Sequence, residues 1–141
     1  MAVDGPPVRL NETIAYKSMM LSGVPNSAFA VGYTNSSWTL KVDLVCEHVC
    51  RMLGRMDALG CDTVTPVLDD PATERRPLLD FQAGYVQRAV ERFPSQGTRG
   101  PWTVEMSHKA DRARLRSGPV EDPALRFESS CRSRPRSRRA A

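Results

Sequence analysis

No G-x-G-x-x-G run occurs in the chain. The glycine loop that lays a dinucleotide's pyrophosphate on a helix N-terminus is therefore not encoded. No stretch approaches the roughly eighteen consecutive apolar residues that a membrane span requires, and residues 1–7 (Met-Ala-Val-Asp-Gly-Pro-Pro) lack the charged and then apolar pattern of a leader. The four cysteines, Cys46, Cys50, Cys61 and Cys131, have no C-x-x-C spacing, which argues against a zinc ribbon and a disulfide framework. Together these absences lead us to expect a cytoplasmic chain with reduced thiols, no membrane span and no metal site.

What remains is a chain of 141 residues, 40% hydrophobic, with 11 prolines and 9 glycines. That length suits one ordinary domain, and the apolar residues place the expected core mainly in the first 60 residues. The net charge of +4 is local. Arg132, Arg134, Arg136, Arg138 and Arg139 stand in a final stretch without an acid, and removing those five leaves −1 for the rest. Residues 129–141 have the composition of a disordered tail. No aromatic residue there would stack on a base, so nucleic-acid binding by the tail ranks as the lesser alternative, in a non-catalytic interaction module.

Residues 2–10 suit a hairpin turning at Asp4-Gly5, with Pro6 and Pro7 pushing its second half to a sheet edge. Ile14, Tyr16, Met19, Met20 and Leu21 crowd apolar bulk without a clean period, as core filler or as the lining of a cavity. Gly23-Val24-Pro25-Asn26 forms a turn, residues 27–31 (Ser-Ala-Phe-Ala-Val) a short buried strand, and residues 32–37 a tight polar turn. After Gly60 the signal weakens. Residues 63–68 suit an extended piece broken by Pro66, residues 81–93 a helix stopped by Pro94, and residues 106–116 a basic helix, while Leu125 and Phe127 stand as isolated anchors.

The helix from Trp38 to its stop at Gly60 is the clearest element. At 100° per residue, Trp38, Val42, Val45, Cys46, Val49, Met52, Leu53 and Met56 share one arc, the expected core face, with Asp43, Glu47, Arg51 and Arg55 opposite. Leu40 and Leu44 add apolar bulk outside that arc, so the first half of the helix is expected to be covered all round. Glu47 and Arg51 have the favourable i,i+4 order. His48 points well away from Cys46 and Cys50, which excludes a shared metal and makes the cysteines small core residues. Asn35, Ser36 and Ser37 are good N-caps, yet the first turn holds no Asp or Glu. The positive end of the helix dipole is left to receive a negative charge from elsewhere.

Residues 16–26 (Tyr-Lys-Ser-Met-Met-Leu-Ser-Gly-Val-Pro-Asn) and 31–41 (Val-Gly-Tyr-Thr-Asn-Ser-Ser-Trp-Thr-Leu-Lys) closely resemble the C-terminal part of class B flavin-dependent monooxygenases. The likeness is strongest to the Baeyer–Villiger subgroup that includes the ethionamide-activating enzymes. It is dense over residues 14–62 and continues loosely through residues 81–86, 96–102 and 125–127. The resemblance implies an α/β fold. The chain would be a C-terminal fragment of a flavoprotein with two Rossmann-like domains for FAD and NADPH, here a hairpin, one buried strand, one long helix and a loosely structured helical arm. Residues 1–62 would be the last part of the FAD-binding domain, residues 63–128 a C-terminal arm and residues 129–141 a disordered tail.

The implied activity is insertion of one oxygen atom from O2 into a ketone, sulfide or thioamide small molecule, through a flavin C4a-peroxide. The implied cofactor contacts are Thr34, Asn35, Ser37, Trp38, Thr39, Leu40 and Lys41, with the helix N-terminus aimed at the N1/O2 edge of the flavin. The active-site arginine, the family's central fingerprint and both phosphate loops are absent from these residues, so no catalytic residue is assigned. The implied partner is the missing N-terminal portion of the flavoenzyme, and the chain alone is expected to be inactive.

Overall fold

The computed structural model describes residues 7–70, 72–79 and 92–129. The expected helix over 81–93 falls mostly outside them, as do most of the expected N-terminal hairpin and nearly all of the arginine tail. The elements are β1 (Ala15–Tyr16), β2 (Met20–Leu21), α1 (Trp38–Leu59), β3 (Thr63–Pro66), β4 (Arg76–Pro77), β5 (Ser95–Gln96), α2 (His108–Asp111) with a π-helical continuation (Arg112–Ser117), and β6 (Leu125–Glu128). Short 3-10 turns lie at Leu10–Glu12 and Gly100–Trp102. The strands pair antiparallel as β1–β2, β3–β6 and β4–β5.

At the centre stands the β1–β2 hairpin. Lys17 and Ser18 both take positive φ, 46° and 57°, and Met19 N–H closes the turn on Tyr16 O at 2.9 Å. That geometry is normally given to Gly or Asn. Here the surroundings hold it: Lys17 N–H donates to Pro101 O, and the Lys17 ammonium lies 3.1 Å from Asp122. Ile14, Tyr16, Met19 and Met20 are each 2% exposed or less, so the unpatterned apolar run of the sequence becomes the middle of the core.

The long helix runs over Trp38–Leu59, close to the expected span. Gly60 ends it at φ 66°, with Gly60 N–H on Asp57 O and Cys61 N–H on Met56 O. These are the two bonds of a Schellman cap, which needs a residue tolerant of the left-handed region. The buried stripe is Lys41, Leu44, Val45, His48, Met52 and Met56, displaced around the helix from the expected arc. Trp38 is 63% exposed and Leu53 54%; Leu40, Cys46 and Cys50 are exposed as well. The expectation that the first half is covered all round, and that both cysteines are core residues, is therefore corrected. α1 is apolar over more than half its circumference, and the described residues cover only one side.

Two further expectations are corrected. Residues 27–31 form no strand; they alternate between half-buried and exposed, and one backbone bond, Phe29 N–H to Met19 O at 2.8 Å, ties them to the core. A buried strand needs neighbours on both edges to satisfy its amides, and none is present among the described residues. Nor are Leu125 and Phe127 isolated anchors. They lie on β6, opposite Pro66 and Val64 of β3, while Asn26, at φ 49°, bonds the outer edge of β3 through Asn26 N–H to Val64 O and Val64 N–H to Asn26 Oδ1.

The second half of the chain packs into the same core. Trp102, Leu115 and Leu125 join Tyr16, Met20, Leu44 and Met52 in one cluster, and α1 holds the π-helical turn by its carbonyls. Arg51 donates to Leu115 O, Arg116 O and Gly118 O at 2.7–2.9 Å, and His48 Nδ1 lies 2.7 Å from Leu115 O. Those carbonyls lie at a helix end, where such groups lack intrahelical partners. The expected Glu47–Arg51 pair does not form; Glu47 pairs with Arg116 at 2.6 Å.

The position of the core face is testable by thermal or urea unfolding of the 141-residue chain. Leu44→Ala is expected to cost about 2–5 kcal/mol, while Leu53→Ala, on the arc the sequence favours, is expected to change stability by less than about 0.5 kcal/mol.

Candidate functional site

The turn and helix start that the sequence singles out form one exposed projection. All seven residues 34–40 are exposed, and Lys41 is buried. Ser37 is the N-cap of α1 but makes no capping bond with its side chain; its hydroxyl lies 2.7 Å from Thr39 Oγ1 instead. The first turn holds no acid, so the leading N–H groups of a 22-residue helix face outward without a carboxylate. Gly32 lets the chain fold back on itself. A Cβ at this position would sit 2.3 Å from Trp38 Cβ, which closes the projection tightly at its base.

Both ends of the projection are tied to one buried group. Tyr33 donates its phenol to Asp111 Oδ2 at 2.7 Å, and the Lys41 ammonium forms an ion pair with the same oxygen. Lys41 is 1% exposed and Asp111 0%. The ammonium also lies 5.4 Å from the Tyr33 ring centroid, and His108 meets that ring edge-on at 6.3 Å. Of the expected cofactor contacts, then, Thr34, Asn35, Ser37, Trp38, Thr39 and Leu40 stand together on the projection, whereas the Lys41 side chain turns inward. A parallel knot lies at the central hairpin. Tyr16 donates to Asp122 Oδ2, beside which the Lys17 ammonium is held.

Tyr33, Asp111 and Asp122 were not singled out from the sequence, and His48 was weighed there only as a metal ligand and rejected. Asp111 sits in a segment that looks basic, and its partners lie 70 and 78 residues away. The one available signal was Lys41 and His48 falling on a side of α1 between apolar residues. The structure puts His48 in the core with Nε2 unpartnered, and Cys46 and Cys50 outside. Among the described residues no group of three or more His, Cys, Asp or Glu is placed to hold a metal ion, and no helix is long and apolar enough to cross a membrane.

Two surface cavities flank the core. The larger, about 510 Å³, is bordered by Asp70, Glu74, Arg99 and Trp102 and receives none of the projecting residues. The smaller, about 260 Å³, is a groove between α1 and residues 26–28, lined by Met20, Ala28, Val49, Met52, Leu53 and Met56. It is continuous with the uncovered apolar side of α1.

Burial, then the bond to Asp122, raises the Tyr16 phenol far above its ordinary pKa, and burial, then the bond to Asp111, raises Tyr33 likewise. Burial pulls Lys41 below the ordinary lysine value against the opposing pull of Asp111. Burial also lowers His48, against its bond to Leu115 O.

The signs give two pH limits. Above about pH 10 the unfolded chain loses phenolic protons that the fold retains, so stability falls by up to about 1.4 kcal/mol per pH unit per tyrosine. Lys41 acts with the opposite sign, and its contribution ends at the ordinary lysine value of 10.5. Below about pH 6.5 the unfolded chain binds a proton that buried His48 refuses, so stability falls again with acid. Urea midpoints across pH are expected to show both limits, with Tyr33→Phe reducing the alkaline slope and His48→Gln flattening the acid one.

The chain is 48% identical over 125 residues to "FAD-containing monooxygenase EthA" of Mycobacterium tuberculosis, covering 89% of this chain and 26% of that protein. It is 44% identical over 124 residues to the protein of the same name from Mycolicibacterium smegmatis, covering 88% and 25%. With "Probable FAD-binding monooxygenase AlmA" of Acinetobacter baylyi it shares 37% over 127 residues, 89% and 26%. The chain thus spans about a quarter of the length of the curated relatives it matches. No family model matches it, and no solved structure does.

Proposed function

Because the chain belongs with the FAD-containing monooxygenases, of whose length it spans about a quarter, we propose that it supplies the flavin-edge half of a cofactor site. The whole enzyme in this reading is a cytoplasmic FAD- and NADPH-dependent monooxygenase of Baeyer–Villiger type, built on two Rossmann-like domains and acting on a ketone, sulfide or thioamide. Bound flavin would supply the oxygen-transfer chemistry. Residues 1–62 would close the FAD domain, residues 63–128 would form the arm that locks onto α1, and the phosphate sites would lie in the portion this chain lacks.

The observation that carries the reading is the projecting start of α1, uncapped by Ser37, free of acids and open to solvent. A reduced flavin bears negative charge at its N1/O2 edge, and a helix N-terminus stabilises such a charge by roughly 0.3–2 kcal/mol. Thr34, Asn35, Ser37, Trp38, Thr39 and Leu40 would contact the ring, with Lys41 contributing through its backbone. The uncovered side of α1 supports the same reading. Trp38, Leu53 and the adjoining groove form an apolar surface that a longer relative has the chain length to cover.

Alone, the chain is expected to bind flavin too weakly to retain it. The 141 residues purified from a flavin-replete host should be colourless, whereas co-expression with the remaining three-quarters of a relative should give a complex with visible flavin absorbance. Stoichiometric FAD on the chain alone would overturn the reading.

A further inference from the structure

We propose that Asp111 is a positioning residue for the projecting turn, an inference that rests on the flavin-edge reading of that turn. One carboxylate oxygen pins residue 33 and residue 41, and the seven residues between them are all exposed. A projection with so few internal ties has many conformations available and must be fixed at its ends. Gly32 packs against Trp38 across the base, which draws its two sides together without orienting them. The other hold comes from a residue about seventy positions along the chain, on the last residue of α2, which the core anchors through Leu115.

The surroundings make this hold specific. Arg114, the next cation, is engaged with Thr103 O, Thr103 Oγ1 and Gly100 O at 3.0–3.3 Å and lies 3.6 Å from Glu105. Among the described residues Asp111 is the carboxylate that meets Lys41. The pair serves the turn in two ways. It sets the angle at which α1 presents its first N–H groups, and it keeps the Lys41 charge directed away from the ring site. Asp111 would touch no flavin and acts through Lys41 and Tyr33.

Buried ion pairs are often replaceable by apolar residues without loss of stability, which separates positioning from mere support. The test uses the 15N-labelled 141-residue chain, Asp111→Asn, and the triple variant Tyr33→Phe/Lys41→Met/Asp111→Leu. The triple variant is expected to melt at or above the wild-type temperature, yet its order parameters at residues 34–40 should fall from about 0.85 to below about 0.6. Helix amides from 44 to 56 should be unchanged. Equal turn order in the wild type and the triple variant overturns the proposal, even if Asp111→Asn fails to fold. Lumiflavin is then titrated as the ring probe. Wild-type shifts at residues 34–41 that vanish in the triple variant support both readings; loosening without any wild-type lumiflavin shift upholds the hold by Asp111 and overturns the flavin reading.

Discussion

The buried carboxylate of Asp111 joins the two halves of this protein. Its Oδ2 receives an ammonium from the start of α1 and a phenol from the preceding turn, and all three groups are almost fully removed from water. Breaking one partner of such a pair strands a charge, at a cost of roughly 3–5 kcal/mol, so α2 cannot leave α1 without a large penalty. Asp122 repeats the device at the central hairpin. Arg51 and His48 complete the join by capturing the carbonyls of the π-helical turn. The segment after residue 100 is fastened by polar groups that α1 and the hairpin present to it, together with Trp102, Leu115 and Leu125 in the shared core.

Packing and function meet on α1. One side carries Leu44, Val45, Met52 and Met56 into the core of this chain; the adjacent side carries Trp38 and Leu53 to the surface. A helix of a self-contained domain normally has one apolar stripe about 100° wide. A second stripe signals a second layer, and the relatives, of whose length this chain spans about a quarter, have the chain to provide it. The helix N-terminus, open and without an acid, sits at the edge of that uncovered side, where two layers would enclose a ligand.

Much of the local structure was legible. Gly60 as the helix stop, Trp38 as its start, the turn at residues 23–26 and the acid-free first turn follow from single residues whose backbone or side-chain chemistry acts within a few positions. The core face of α1 was misread because apolar residues span more than half the helix; a periodicity finds an apolar side but cannot rank two. The buried strand at residues 27–31 was misread for a related reason, since its composition reports a neighbour that the described residues do not contain.

The sequence alone determined the helix, its glycine stop, the family likeness and the missing phosphate loops, because these depend on neighbouring residues or on patterns within short spans. Only the tertiary structure decided that Lys41 and His48 are core residues, that Arg51 holds carbonyls rather than Glu47, and that Asp111 governs the ends of the projecting turn. Those outcomes depend on groups some 60 to 80 positions apart. A buried charge is tolerable only where the fold delivers its partner, and no local pattern carries that information.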